Sequence, residues 1–169
     1  MTQSSLFSKA EPSPRSYEIV ANIDGGARGN PGPAAYGVVV YNAQGELIKE
    51  WGEYLGIQTN NVAEYSGLIA ALEYAAGARH KSMKVLSDSE LLVRQMRGQY
   101  KVKSPALRQL YDRAQVLTRK LEKFSIEHVL RERNREARCR DKRVAPAFSD
   151  RARDRCRARG HSRASPSSP

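Results

Sequence analysis

Asp24, Glu64 and Asp88 are acids in places that a purely structural role explains poorly. Asp24 ends an apolar, alternating run that reads as a strand and immediately precedes Gly25 and Gly26, and aspartate is a poor strand residue. Glu64 lies four residues before Leu68 and eight before Leu72, so on a helix it shares the stripe that must face the rest of the fold. Asp88 closes a short apolar strand just before a helix, the position at which open α/β sheets hold ligands. Each acid also has a structural alternative. Asp24 would cap the glycine turn, Glu64 would complete a capping box with Asn61, and Asp88 would cap the helix that follows it. Brought together, the three would form a cluster of like charges that must be neutralised. Carboxylates with no paired His or Cys favour Mg²⁺ or Mn²⁺ over zinc, and such clusters bridging two ions suit in-line displacement at phosphorus.

The elements that must position these acids are legible from periodicity. Tyr17 to Asp24 alternates and is rich in β-formers, and Gly25 to Pro33 is dense turn chemistry. Tyr36 to Tyr41 and Glu46 to Leu55 read as two more strands around a hairpin turn at Asn42 to Gly45, so the first three strands should form an antiparallel meander. From Val62 to Ala78 the apolar residues fall at helical spacing, with a start predicted at Asn61. Met83 to Asp88 is a fourth strand, Ser89 to Met96 a short helix, Pro105 to Leu121 a longer one, and Phe124 to Leu130 a fifth strand. A last helix is expected after Asn134. The order β-β-β-α-β-α-α-β, with helices between the later strands, implies a mixed five-stranded sheet flanked by helices and an α/β fold.

Composition narrows the function classes. No apolar run approaches the roughly 18 residues that a membrane span needs, which excludes an integral helical membrane protein. Met1 to Ser16 lacks the apolar core of a secretory signal and reads as a disordered arm, so the expected location is the cytoplasm. Cys139 and Cys156 make neither a disulfide framework nor a zinc site by themselves. The net charge of +11 is unevenly placed, with 19 basic and 15 acidic residues up to Ala137 and 10 basic and 3 acidic after it. Residues 138–169 contain neither Leu nor Ile and show no amphipathic period, so they read as a basic, disordered tail behind a domain at 17–137. Such a tail either holds phosphates through counterion release or is a solvated terminus.

The residues also carry a resemblance. Ile23-Asp24-Gly25-Gly26, Gly29-Asn30-Pro31-Gly32, Thr59-Asn60-Asn61 with Glu64, and Ser87-Asp88-Ser89 resemble ribonuclease H over about Tyr17 to Ala137. The resemblance implies an endonuclease that hydrolyses the RNA strand of RNA/DNA hybrids with two Mg²⁺ or Mn²⁺ ions. Water attacks the scissile phosphate and leaves a 3′-hydroxyl and a 5′-phosphate. It further implies that Asp24, Glu64 and Asp88 hold the ions, with Asp24 bridging them. Asn30, Asn60 and Asn61 would touch the minor groove where 2′-hydroxyls mark RNA, and Thr59 would grip a DNA phosphate. Gly25 and Asn134 join this substrate-binding set, and His128 would be a mobile proton shuttle or product-release aid. For His128 the alternative is a strand-terminal histidine making an ordinary hydrogen bond. The family's basic protrusion has no counterpart, since one short helix fills the space between Ser89 and Pro105. The chain is therefore expected to be the compact form, to act as a monomer on a nucleic acid and not a membrane, and to draw any added hybrid-binding element from elsewhere.

The resemblance breaks at one place. The family closes with a run like His-Val-Pro-Arg-Glu-x-Asn-x-x-Ala-Asp, whereas this chain has His128 to Ala137 followed by Arg138. A cation replaces the fourth carboxylate, which should lower metal affinity beyond the loss of a ligand. Asp141, one turn on, is a weak substitute because Pro146 and the arginine density oppose a helix there. The break coincides with the change in composition, as it would if everything after Ala137 were read in a shifted frame. Two rivals follow: a catalytically impaired hybrid-binding module, and a nuclease of the same fold acting on DNA.

Overall fold

A computed structural model of the chain describes residues 17–137. The expectations that fall on residues 1–16 and 138–169, including the terminal arm, the tail, both cysteines, Arg138, Asp141 and the body of the last helix, lie outside the described residues. No helix among the described residues is long and apolar enough to cross a membrane.

Five strands form one sheet in the order β3-β2-β1-β4-β5. The strands β1 (Ile19–Ala27), β2 (Gly32–Asn42) and β3 (Leu47–Gln58) pair antiparallel as a meander. Strands β4 (Ser82–Ser87) and β5 (Lys123–His128) add in parallel on the other side of β1. The mixed sheet is the one the sequence order implies. Helix α1 (Asn60–Gly77) packs on β1 and β2, α2 (Glu90–Met96) lies against β4 and β5, and α3 (Pro105–Thr118) packs on α1.

The core lies between α1 and one face of the sheet. Alternation along β1 sends Ile19, Ala21 and Ile23 inward to meet Leu68, Leu72 and Ala75, all essentially inaccessible to solvent. Tyr65, buried beside them, donates its hydroxyl to Gln95 Oε1 at 2.8 Å, which joins α1 to α2 without leaving the phenol unsatisfied. The β2–β3 hairpin closes as the sequence suggests, with Gly45 at φ 81° and Asn42 Oδ1 accepting from the amides of Gln44 and Glu46.

The first strands run further than expected because long-range pairing extends them through residues that read locally as turns. β1 runs past Asp24 to Ala27 because Gly25, Gly26 and Ala27 pair with Tyr36, Ala35 and Ala34. Only residues 28–31 are left as the connection, and the Asn30–Pro31 peptide in it is cis. β3 likewise continues to Gln58, while β5 stops at His128 and α3 at Thr118. The start of α1 is corrected as well. Its N-cap is Thr59, whose Oγ1 accepts from Val62 N at 3.3 Å, and not Asn61.

Candidate metal centre

The parallel ladder between β1 and β4 ends at the pair Ile23 and Ser87. The next residue along each chain is an acid, Asp24 within β1 and Asp88 just beyond β4, so both stand where the parallel ladder ends. Glu64 reaches them from α1 because the helix passes unusually close to the strand. A Cβ placed on Gly25 would lie 2.4 Å from both Ala63 C and Glu64 N, so only glycine lets the backbones meet here. Gly25, expected among the substrate-binding residues, therefore has a packing role that brings Glu64 to Asp24.

One oxygen from each of Asp24, Glu64 and Asp88 lies within 4.8 Å of the others. Asp24 is buried, the Asp88 side chain is 5% exposed, and Oε2 of Glu64 is screened from solvent. The structural alternatives for the three acids fall away. Asp24 lies inside a strand, opposite Gly37 of β2, and the glycines after it continue that strand. Thr59 caps α1, which leaves Glu64 beyond the position that a capping box uses. Ser89, not Asp88, caps α2, with Oγ accepting from Leu92 N at 3.4 Å.

A cluster of this span suits hard divalent cations. Two oxygens on one Mg²⁺ stand no more than about 4.2 Å apart, twice the metal–oxygen bond, and ions of a catalytic pair sit roughly 3.5–4 Å from each other. The chemistry of the donors, all carboxylate oxygen, fits the same ions.

The surroundings hold the acids in place. Asn134 is fully buried and donates from Nδ2 to the Ile23 carbonyl at 2.7 Å, with Asp88 Oδ1 at 3.5 Å. It was expected to contact substrate; in this structure its amide instead reaches the carbonyl before Asp24 and approaches Asp88. Arg131, which the sequence reading did not single out, places Nε 3.5 Å from Asp88 Oδ2. Its side chain is 78% exposed, so the pair is screened and weak.

The remaining candidates fall around this centre. Asn60 Oδ1 accepts from Ala27 N at 2.6 Å, and Asn30 Oδ1 accepts from Asn60 N at 3.2 Å, which ties the 28–31 connection to the start of α1. Both asparagines are exposed, and Asn61 is partly so. Thr59 spends an acceptor on the cap and keeps its hydroxyl proton to donate. His128 ends β5 as an exposed neighbour of Ser87, one residue from Asp88 in the adjoining strand.

A family model described as reverse transcriptase-like matches residues 22–143, a span that includes the whole centre and Arg138. The N-terminal RNase H domain of Rv2228c from Mycobacterium tuberculosis superposes with a TM-score of 0.73 at 44% identity, over 75% of this chain and 98% of that domain. The chain belongs to the ribonuclease H-like family. Among curated proteins, this ribonuclease H-like chain is 47% identical over 118 residues to the bifunctional protein Rv2228c, covering 69% of the present sequence and 32% of the other. It is 41% identical over 123 residues to ribonuclease HI of Halobacterium salinarum, covering 73% and 62%. The chain thus spans about a third of the length of the mycobacterial relatives it matches. A further ribonuclease H-like neighbour, LC11-RNase H1, was solved in complex with an RNA/DNA hybrid and superposes at a TM-score of 0.71 with 39% identity, over 75% of this chain and 96% of that one.

Proposed function

We propose that this chain hydrolyses the RNA strand of RNA/DNA hybrids, using two Mg²⁺ or Mn²⁺ ions held by Asp24, Glu64 and Asp88, and that Arg138 weakens the reaction. The observation that carries the reading is the meeting of three carboxylate oxygens within 4.8 Å, once Thr59 and Ser89 have taken the capping roles. Bound ions would supply an activated water and charge neutralisation at the phosphorus. The protein's own share is placement: Gly25 admits Glu64, Asn134 holds Ile23 and Asp88, and β1 carries Asp24 to the same cluster. Asn30, Asn60 and Asn61, clustered at the start of α1, supply donors and acceptors for a minor groove lined with 2′-hydroxyls. His128 stands at the rim, exposed and free to move a proton to or from the departing product.

The reading places the chain in the cytoplasm as a monomer. It is tested by incubating a labelled RNA/DNA hybrid with the chain in Mg²⁺ and in Mn²⁺ and mapping the products. Cuts in the RNA strand bearing 5′-phosphates support it; cleavage of duplex DNA in preference to hybrid, or binding without cleavage in either metal, overturns it.

A further inference from the structure

Strand β3 is an outer strand of the sheet, and among the described residues no strand pairs with its far edge. The other outer strand, β5, is covered: α2 packs on it, and its Ile126 carbonyl accepts from Arg97 Nε and Nη2 at 3.0 and 2.7 Å. Apolar surface also gathers on β3. Leu47, Ile48, Tyr54 and Ile57 are four of the eight large apolar side chains that stand exposed among the described residues, so the open edge is also the stickiest one. A long edge of this kind is a template for a further strand.

The charges on this edge select the strand that fits. Lys49 to Tyr54 pairs regularly with β2, between irregularities at Ile48 and Leu55. Opposite residues of an antiparallel pair exchange both backbone bonds or neither, so they share one orientation. A strand paired with its own copy about a twofold axis must therefore centre on a residue that faces itself. Centring on Lys49, Glu50 or Glu53 sets a charge against its like, and centring on Gly52 or Tyr54 brings no opposite charges together. Centring on Trp51 sets Lys49 against Glu53 twice, Ile48 against Tyr54, and Leu47 against Leu55. One register in the regular stretch is thus complementary to itself in charge and in apolar contacts.

The two charged side chains are already held. Lys49 Nζ lies 5.5 Å from the centre of the Trp51 ring and 5.3 Å from that of Tyr74, and Glu53 Oε2 accepts from the Tyr36 hydroxyl at 2.7 Å. Both contacts are to neutral groups, so the charges stay available across the edge at little ordering cost.

We propose that two copies of this chain pair antiparallel through β3, with Trp51 on the twofold axis and Lys49 of each copy against Glu53 of the other. The pairing joins two five-stranded sheets edge to edge. Strands β1 and β3 run the same way, each antiparallel to β2, so the twofold sends the two clusters of acids to opposite ends of the joined sheet. Each cluster is complete within its own copy, and the single copy of the functional reading remains the catalytic unit. A contact of one strand edge is small, which sets the association at roughly 10–100 µM.

The test is sedimentation of the full chain from about 1 to 300 µM at low salt, where the parent is expected to rise from the mass of one copy toward two. Lys49→Glu places acid against acid and Glu53→Lys places base against base, so each variant alone is expected to associate at least tenfold more weakly. An equimolar mixture of the two variants restores both opposite-charge pairs and is expected to associate at least as tightly as the parent, which a variant that had merely lost its fold would not do. A parent that keeps the mass of one copy overturns the self-pairing and leaves the edge to a strand from another protein. Single variants that associate as the parent does, or a mixture no tighter than its components, overturn the register.

Discussion

Asn134 Nδ2 lies 2.7 Å from the carbonyl oxygen of Ile23, a bond that spans 111 residues of sequence and closes over the end of the β1–β4 ladder. Because Ile23 precedes Asp24 and the same amide group is 3.5 Å from Asp88 Oδ1, one buried side chain sets the relation of two acids that no ladder bond joins.

Removing that side chain should therefore cost both stability and activity. Asn134→Ala leaves the Ile23 carbonyl without its buried donor, with an expected loss of about 1–3 kcal/mol. Urea denaturation reads the stability and hybrid cleavage the activity. Wild-type stability in this variant would show that the bond contributes nothing.

Gly25→Ala should be at least as disruptive. The added Cβ meets backbone atoms of Ala63 and Glu64, which cannot rotate away, so α1 must lift from β1. Overpacking of this kind costs about 1–3 kcal/mol, and here the shift also withdraws Glu64 from the two aspartates. A lower Tm accompanied by weaker Mn²⁺ binding is expected; a lower Tm with metal binding intact would separate Gly25 from the centre.

Glu18 provides a pH-dependent test remote from the site. A hydrogen bond from the Lys81 amide, chiefly, together with His80, holds its carboxyl below the ordinary 4.5. A depressed folded-state pKa gives stability that is present above the unfolded value and lost as the pH falls through the folded one. Glu18→Gln should thus be less stable than the parent at neutral pH, and the gap should close on acidification below about pH 4.5. A gap that stays constant from pH 7 to 3 would contradict this.

On the proposed reading, Arg138→Asp should strengthen the reaction. Replacing that cation by a carboxylate is expected to improve apparent metal affinity roughly tenfold or more, read as the Mg²⁺ concentration giving half-maximal cleavage. Equal Mg²⁺ dependence in parent and variant would show that residue 138 lies away from the centre. Translating the gene in all three frames past codon 137 tests the shifted-frame origin separately; it predicts that one frame yields a helix beginning Ala-Asp.

Element order, sheet composition and the three acids were legible because they rest on local signals, namely alternation, helical spacing and charge in apolar settings. What was misplaced depends on distant partners. Nothing near Gly25 to Ala27 announces a strand, since β2 supplies the pairing. Thr59, Asn60 and Asn61 are three competent caps in a row, and which one caps is decided by where β3 ends and how closely β1 approaches. Asp88 and Ser89 pose the same choice at α2, and the fold gives the cap to serine and leaves the acid for the cluster. The packing of Asn134 was not legible because its partners, Ile23 and Asp88, are far away in sequence. Arg131 carried no signal of its own within a run of charged residues.

The most direct test of the centre is single-turnover cleavage of an RNA/DNA hybrid by the full chain and by Asp24→Asn, in Mn²⁺ and in Mg²⁺. Removing the buried carboxylate that β1 brings to the cluster is predicted to abolish cutting of the RNA strand in both metals, a loss of about 100-fold or more relative to the parent, while the variant stays folded. Cleavage by Asp24→Asn at the parent rate would contradict the assignment of these three acids as the centre.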